Sequence, residues 1–153
     1  MFRNDSGAAL VEFTILLPLI LLVFAVVIEG GRLMWAYQSV NAGVRDASRY
    51  LARIAPESVC SGGSLAAYQP TLESIVRNRI DGASFLPSGI TVNAVTPSLT
   101  CVAGTFRVSP APVAQVTASL TVTFPFAGVV AFAGGALGTV TTSISDQSRV
   151  YGL

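Results

Sequence analysis

The chain contains no lysine and no histidine, and all of its 9 basic residues are arginine. Without histidine, a nucleophile cannot be activated as a Ser-His or Cys-His pair. Without lysine there is neither a phosphate-loop lysine nor a Schiff base. Cysteine is scarce: Cys60 and Cys101 stand alone, and two thiols with no imidazole do not make a structural zinc site. Charge is scarce as well. Only 11% of residues are charged and the net charge is +1, which gives no field for nucleic acid or for an acidic substrate. Catalysis would have to rest on 8 scattered carboxylates and the arginines. Asp5-Ser6-Gly7 has the form of an aspartic-protease tripeptide but occurs once, without a second copy. No glycine-rich phosphate loop, metal-ligand spacing or internal repeat is present. The expectation is a protein that is not an enzyme, with no cofactor, no metal and no catalytic residue.

What the chain has in excess is apolar sequence, 52% of the whole. It is concentrated near the N-terminus, where Phe13 to Ile28 is a 16-residue run without a charge. Adding Ala8 to Val11 extends the run to roughly 20 residues, the length that crosses a bilayer core. Glu12 is its only interruption. Two other readings compete with a membrane anchor. A buried helix of a soluble domain is seldom this long and this rich in Leu, Val and Ile. A cleaved secretory signal has a shorter apolar region that ends in small residues, whereas Glu29-Gly30-Gly31-Arg32 follows here. Within the run, a carboxylate costs about 3 kcal/mol in hydrocarbon, so Glu12 needs a partner or an interfacial position. Pro18 lacks an N–H and is expected to kink or loosen the helix. Gly7 offers accessible backbone just before small Ala8 and Ala9.

Three stretches carry a resemblance: Gly7-Ala8-Ala9-Leu10-Val11-Glu12-Phe13, Leu16-Leu17-Pro18-Leu19-Ile20-Leu21-Leu22, and Ile28-Glu29-Gly30-Gly31-Arg32-Leu33. They resemble the TadE-like family, the class III prepilin-like minor pilins and pseudopilins of the tight-adherence (Flp-type) pilus system. Gly30 stands where the family usually has an aromatic residue. The resemblance implies cleavage after Gly7 by a prepilin peptidase, which makes Ala8 the new N-terminus and Glu12 its fifth residue. A carboxylate there can meet the free amine of a neighbouring subunit. The pairing neutralises two charges that are each costly in lipid and fixes axial register. The implied partners are the peptidase, other pilin and minor pilin subunits, an inner-membrane assembly platform and membrane lipids. The implied location is the inner membrane, single-pass, with the C-terminal domain periplasmic and later on the pilus or cell surface. Local charge points the other way. Arg3 and the amine of the leader are offset by Asp5, while Arg32, Arg45, Arg49 and Arg53 follow the run. The positive-inside rule alone would therefore reverse the topology.

Beyond the membrane, Leu33, Tyr37, Val40, Val44, Ala47, Leu51 and Ile54 recur at helical steps. This stripe can pack on the chain's own C-terminal domain or on another subunit. Arg45, Arg49 and Arg53 form a row on another face, with Asp46 spaced to pair with Arg49. The row reads as a solvated face, or as a surface for anionic lipid or an acidic partner. Pro56 stops the pattern. If Gly30 and Gly31 do not break it, a single helix of nearly 70 Å results; as glycines they can also serve as a hinge at the membrane exit.

After Pro56, Ser and Thr become frequent and charges sparse. Pro70 to Ile80 fits a short helix with Leu72, Ile75, Val76 and Ile80 on one face and Gly82 as a stop. Arg77, Arg79 and Asp81 read as a solvated helix end. Ile90 to Ala94 and Phe106 to Val108 read as short strands. Val113 to Phe124 is the clearest strand, with Ala114, Val116, Ala118, Leu120, Val122 and Phe124 on one face and Gln115, Thr117, Ser119, Thr121 and Thr123 on the other. Val140 to Arg149 is a final strand. Pro125 to Gly138, containing Phe126, Val129, Val130, Phe132 and Leu137, is an apolar connection too short to span a membrane. It caps the sheet as a buried loop or short helix, or forms an exposed patch that meets a subunit or a membrane. Cys60 and Cys101 are read as loop residues that pair in an oxidising compartment, worth roughly 3–4 kcal/mol in the chain-entropy model.

The fold class expected is α+β: a long N-terminal pilin-like helix, transmembrane in its first half and amphipathic in its second, packed on a small antiparallel β-sheet domain. The expected divisions are a prepilin leader (1–7), the helix (8–55) and an exported α+β domain (56–153). The expected role is a minor pilin or pseudopilin of a type IVb/Flp-type pilus, contributing to assembly or tip structure. The alternative is a single-pass membrane scaffold or binding protein whose exported domain never enters the filament.

Overall fold

A computed structural model describes residues 6–78, 82–84, 86–132, 134–135 and 138–152. The apolar run and the amphipathic stripe after it join into one helix, α1 (Ser6–Ile54), of 49 residues. At 1.5 Å per residue it is about 74 Å long. Gly30 and Gly31 are helical and do not interrupt it. It stops where Ala55 precedes Pro56, because the proline ring disfavours helical geometry in the residue before it. Pro56 itself is extended, with φ −67° and ψ 144°. Arg53 lies in the last turn, where a cation complements the helix dipole.

The rest of the chain wraps the second half of this helix. A 3₁₀ turn over Glu57–Ser61 and another over Ala66–Tyr68 lead into α2 (Gln69–Arg77). Then follow β1 (Ile90–Val102), β2 (Ala111–Val122), the short helix α3 (Ala127–Phe132) and β3 (Val140–Arg149). The three strands form an antiparallel meander in the order β1-β2-β3. This is the expected α+β architecture of a long helix and a small antiparallel sheet.

The sheet's inner face meets α1. Val92, Val95, Ala114, Val116, Ala118, Leu120 and Ile144 share one core with Val40, Val44, Ala47 and Leu51 of α1 and with Leu72 and Val76 of α2. Burying each larger aliphatic side chain contributes about 1.5–3 kcal/mol. From Pro112 to Val122 alternation along β2 is strict, as its period-2 pattern requires. A bulge at Asn93, between Val92 and Ala94, shifts the phase of β1. Val92 and Val95 thereby both face inward although they are three apart. The helices approach closely: a Cβ on Gly43 would lie 3.1 Å from the Val76 Cα. A smaller cluster of Ala36, Ile90 and Val122, with Phe124 packed against it, closes the end nearer the apolar run. The outer face of the sheet carries hydroxyls and amides; Asn93 Nδ2, for example, donates to Thr121 Oγ1 at 2.7 Å.

Several expectations are corrected. Val40, Val44, Ala47 and Leu51 are buried, but Leu33 and Tyr37 of the same stripe are largely exposed. The buried row runs instead through Ala36, Glu29 and Ala25. A 3.6-residue helix drifts from a strict heptad by about 20° per repeat, so one stripe extrapolated over three heptads leaves the contact face. β1 is much longer than Ile90 to Ala94 and includes Cys101, while Phe106 to Val108 is irregular chain in the β1–β2 connection. Pro97 obscured this continuity; it is tolerated because β1 is an edge strand. α2 ends at Arg77, before the glycine expected to stop it. Asp46 and Arg49 form no ion pair among the described residues. Arg77 pairs with Glu73 at 3.7 Å and donates to the Asn93 carbonyl. Arg79, Ile80, Asp81 and Leu137, and the leader through Asp5, lie outside the described residues; so do the side chains of Val129 and Phe132.

Candidate functional site

α1 presents three successive chemical environments. Residues 7–21 are exposed all round, and an 18-residue window of the helix reaches a mean hydropathy of 2.8. A continuous exposed surface of Leu, Ile, Val and Phe marks a contact with membrane or with another protein. By length and composition this helix can cross a membrane. Gly7 and Ala8 sit exposed in its first turn and Glu12 one turn later, also exposed. Glu12 makes no ion pair among the described residues. Pro18 lies within the helix, so the amide bond that would reach the Thr14 carbonyl is missing. The Thr14 hydroxyl, meanwhile, donates to the Leu10 carbonyl at 2.7 Å.

The second environment begins where the charge-free run ends. Glu29 is only 6% exposed. One carboxylate oxygen, Oε2, accepts from Arg32 Nη1 at 2.9 Å. The other, Oε1, accepts from the backbone N–H of Phe126 at 2.8 Å. Arg32 in turn donates through Nη2 to the Ser88 carbonyl. The pair therefore bridges Gly30 and Gly31 along the helix. It also ties α1 to two turns of the domain, the one before β1 and the one after β2. Gly89, with φ +81°, belongs to the first of these turns; a Cβ there would lie 2.9 Å from the Thr123 carbonyl oxygen. Only glycine suits that position. Neither glycine at 30 or 31 has any atom within 4 Å of where a Cβ would be.

In the sequence, Glu29 and Arg32 stand out as the charges that follow the apolar run, without any contact being evident for either. The available signal was an acid and an arginine three apart at the end of a long apolar run, a spacing that pairs on a helix. What they hold could not be read, because Ser88 and Phe126 are distant in sequence.

The third environment is the far end of the domain. Cys60 and Cys101 form a disulfide with Cα atoms 5.9 Å apart. It joins the first 3₁₀ turn to the end of β1, so the expected pair is brought together, although Cys101 lies in a strand. Glu57 and Arg107 pair beside it at 3.3 Å. The Tyr151 N–H donates to the Ala52 carbonyl at 3.0 Å, closing the chain's end onto α1. Arg45, Arg49 and Arg53 are exposed. No group of acidic, cysteine or histidine side chains able to hold a metal occurs among the described residues.

Residues 7–49 match the TadE family model, described as TadE-like protein. The match contains Gly7, Ala8, Glu12, Pro18, Glu29, Gly30, Gly31 and Arg32, and it stops inside α1, so the sheet domain lies outside it. No curated protein and no solved structure matches the chain. The N-terminal segment is thus similar to TadE-like proteins. Such a match points to an association with Tad/Flp pili, and the apolar helix is long enough to cross a membrane.

Proposed function

We propose that this chain, with its TadE-like domain over residues 7–49, is a minor pilin or pseudopilin of a tight-adherence pilus. The observation that carries the reading is the coincidence of the family match with the two-faced helix. The matched segment is lipid-like on every side at its start and carries a folded domain on one side at its end. Prepilin peptidase cuts after Gly7, within an exposed first turn. Ala8 then bears the free amine, and Glu12 meets the amine of a neighbouring subunit within the membrane. That contact neutralises both charges and sets register. Pro18 loosens the helix between the Leu10 and Pro18 turns. Gly30 and Gly31 are a hinge whose resting position is held by the Glu29–Arg32 bridge. The domain stands on the periplasmic side, where the Cys60–Cys101 disulfide is stable, and moves to the pilus with the assembled subunits. The assembly platform and other pilins are its partners, and it turns over no substrate.

Intact-mass measurement of the chain recovered from sheared filaments tests this. The expected species begins at Ala8, with or without a methyl group, and is present in the filament fraction. A chain that keeps its leader and stays in the membrane fraction would instead mark a single-pass scaffold.

A further inference from the structure

Ala25 is 5% exposed, while Leu10 to Leu21 below it and Val26 to Ile28 above it are exposed. It lies one helical turn before Glu29, on the same face. The chain that reaches α1 at this level comes from the domain. The Phe126 N–H is seated on Glu29, and α3, which starts at Ala127 and contacts α1, follows at once. The run from Ala8 to Ile28 spans about 30 Å, the thickness of a hydrocarbon core. Glu29 therefore stands at the core's edge, and Ala25 about 6 Å inside it. On this geometry α3 lies beside the last turn or so of the spanning segment, below the exit.

The composition of the element agrees with that depth. Between Arg107 and Asp146 the sequence has no charged residue. Phe126 is 37% exposed, and Gly128 and Ala131 are exposed with it. Trp35 and Tyr37, exposed two turns above Glu29, are the residue types that sit at headgroup level. Together they form an aromatic level above the apolar segment.

We propose that α3, with the turn that precedes it, is a second membrane contact: a short apolar element that enters the outer edge of the bilayer beside α1. Its partner is the lipid surface on the side where the domain stands. The argument for lipid is continuity: α3 contacts α1, whose apolar segment is exposed, and neither α3 nor the turn before it carries a charge. Interfacial elements of this kind bury about 5–10 Å into the headgroup and acyl boundary, which matches the depth set by Ala25 and Glu29. The domain is then held to the membrane at two points, and its outward polar sheet face is held at a defined orientation. This inference rests on α1 crossing the membrane.

The test uses the full chain with its disulfide intact, reconstituted in phosphatidylcholine vesicles with or without brominated acyl chains. Single cysteines carrying an environment-sensitive fluorophore are placed by Gly128→Cys, where a Cβ meets open space, and separately by Ala131→Cys. Leu19→Cys reports the anchor, and Ser145→Cys the exposed outer sheet face. The expected result is strong quenching at 19, about half as much at 128 and 131 because they lie shallower, and none at 145. Quenching at 19 with 128 and 131 behaving like 145 overturns this inference and leaves the anchor standing. An unquenched label at 19 overturns the anchor reading and this one with it. A signal at 128 and 131 that disappears as protein is diluted in lipid assigns the surface to a second copy of the chain, which also overturns it.

Discussion

The two halves of α1 differ in composition and in what surrounds them. From Gly7 to Leu21 every side chain is exposed. From Ala36 to Leu51 one face is fully covered, with Val40, Val44, Ala47 and Leu51 all inaccessible. The difference is in pattern. The first half is apolar all round, which suits a helix whose solvent is lipid on every side. The second half sets alanine, valine and leucine on one face and arginine, glutamine and tyrosine on the others, which suits a helix with a sheet on one side and water on the rest. One continuous rod thus carries two surface patterns, and Glu29–Arg32 marks the level at which one gives way to the other.

Paired truncations test this contrast most strongly. Leu51→Ala removes a side chain from the shared core and is expected to destabilise the C-terminal domain by about 2–5 kcal/mol. Leu21→Ala, in an exposed position of the first half, removes no contact with the domain and is expected to leave its stability within about 0.5 kcal/mol. Thermal or denaturant unfolding of the detergent-solubilised chain, followed by tyrosine and phenylalanine environments, measures both. Equal losses at the two positions would erase the distinction between the halves.

Glu29→Ala sharpens the boundary itself. It leaves the Phe126 N–H and the Arg32 guanidinium without their shared acceptor, a loss of about 2 kcal/mol. Because the lost contacts tether two turns and do not belong to the main core, the effect is expected to be local. Hydrogen exchange should speed at Thr123 and Phe126 while amides at the centre of β2, such as Ala118, keep their protection. Exchange that rises uniformly through β2 would make the pair part of the domain's cooperative core, and the boundary would then lie lower on the helix.

The legible parts of the fold were those written in periodicity within a single element. The central strand around Ala114 to Val122 could be read because its inner and outer faces alternate without a break. The buried face from Val40 to Leu51 could be read because helical spacing holds over so short a stretch. The first half of α1 could be read from length and composition alone. Other features depend on pairing between distant segments. β1 looked like two fragments because Pro97 and the Asn93 bulge break its alternation; only its register with β2 makes it one strand. Leu33 and Tyr37 fit the stripe, yet the row that is covered below Val40 is Ala36, Glu29 and Ala25, because the domain's contact follows the helix's true pitch. At the site, Gly7, Ala8, Glu12 and Pro18 could be picked out by local pattern, and their roles belong to the proposed function. The partners of Glu29 and Arg32 could not, since both contacts are made to backbone atoms, which carry no residue identity.

The smallest expected effect concerns the two glycines that the bridge spans. A helical glycine costs roughly 0.5–1 kcal/mol relative to alanine, and open space surrounds both Cβ positions. Gly30→Ala combined with Gly31→Ala should therefore stiffen this part of the helix without touching its packed half. Domain stability is expected to stay level or rise by no more than about 1 kcal/mol. If the exit must bend as a subunit leaves the membrane, incorporation into filaments falls even though the protein is no less stable. The ratio of variant to unaltered chain in sheared filaments, at matched membrane levels, reads this directly. Unchanged incorporation would remove the hinge and leave a rigid exit whose geometry is set by Glu29 and Arg32, and the contrast between the two halves of α1 would then be one of surroundings alone.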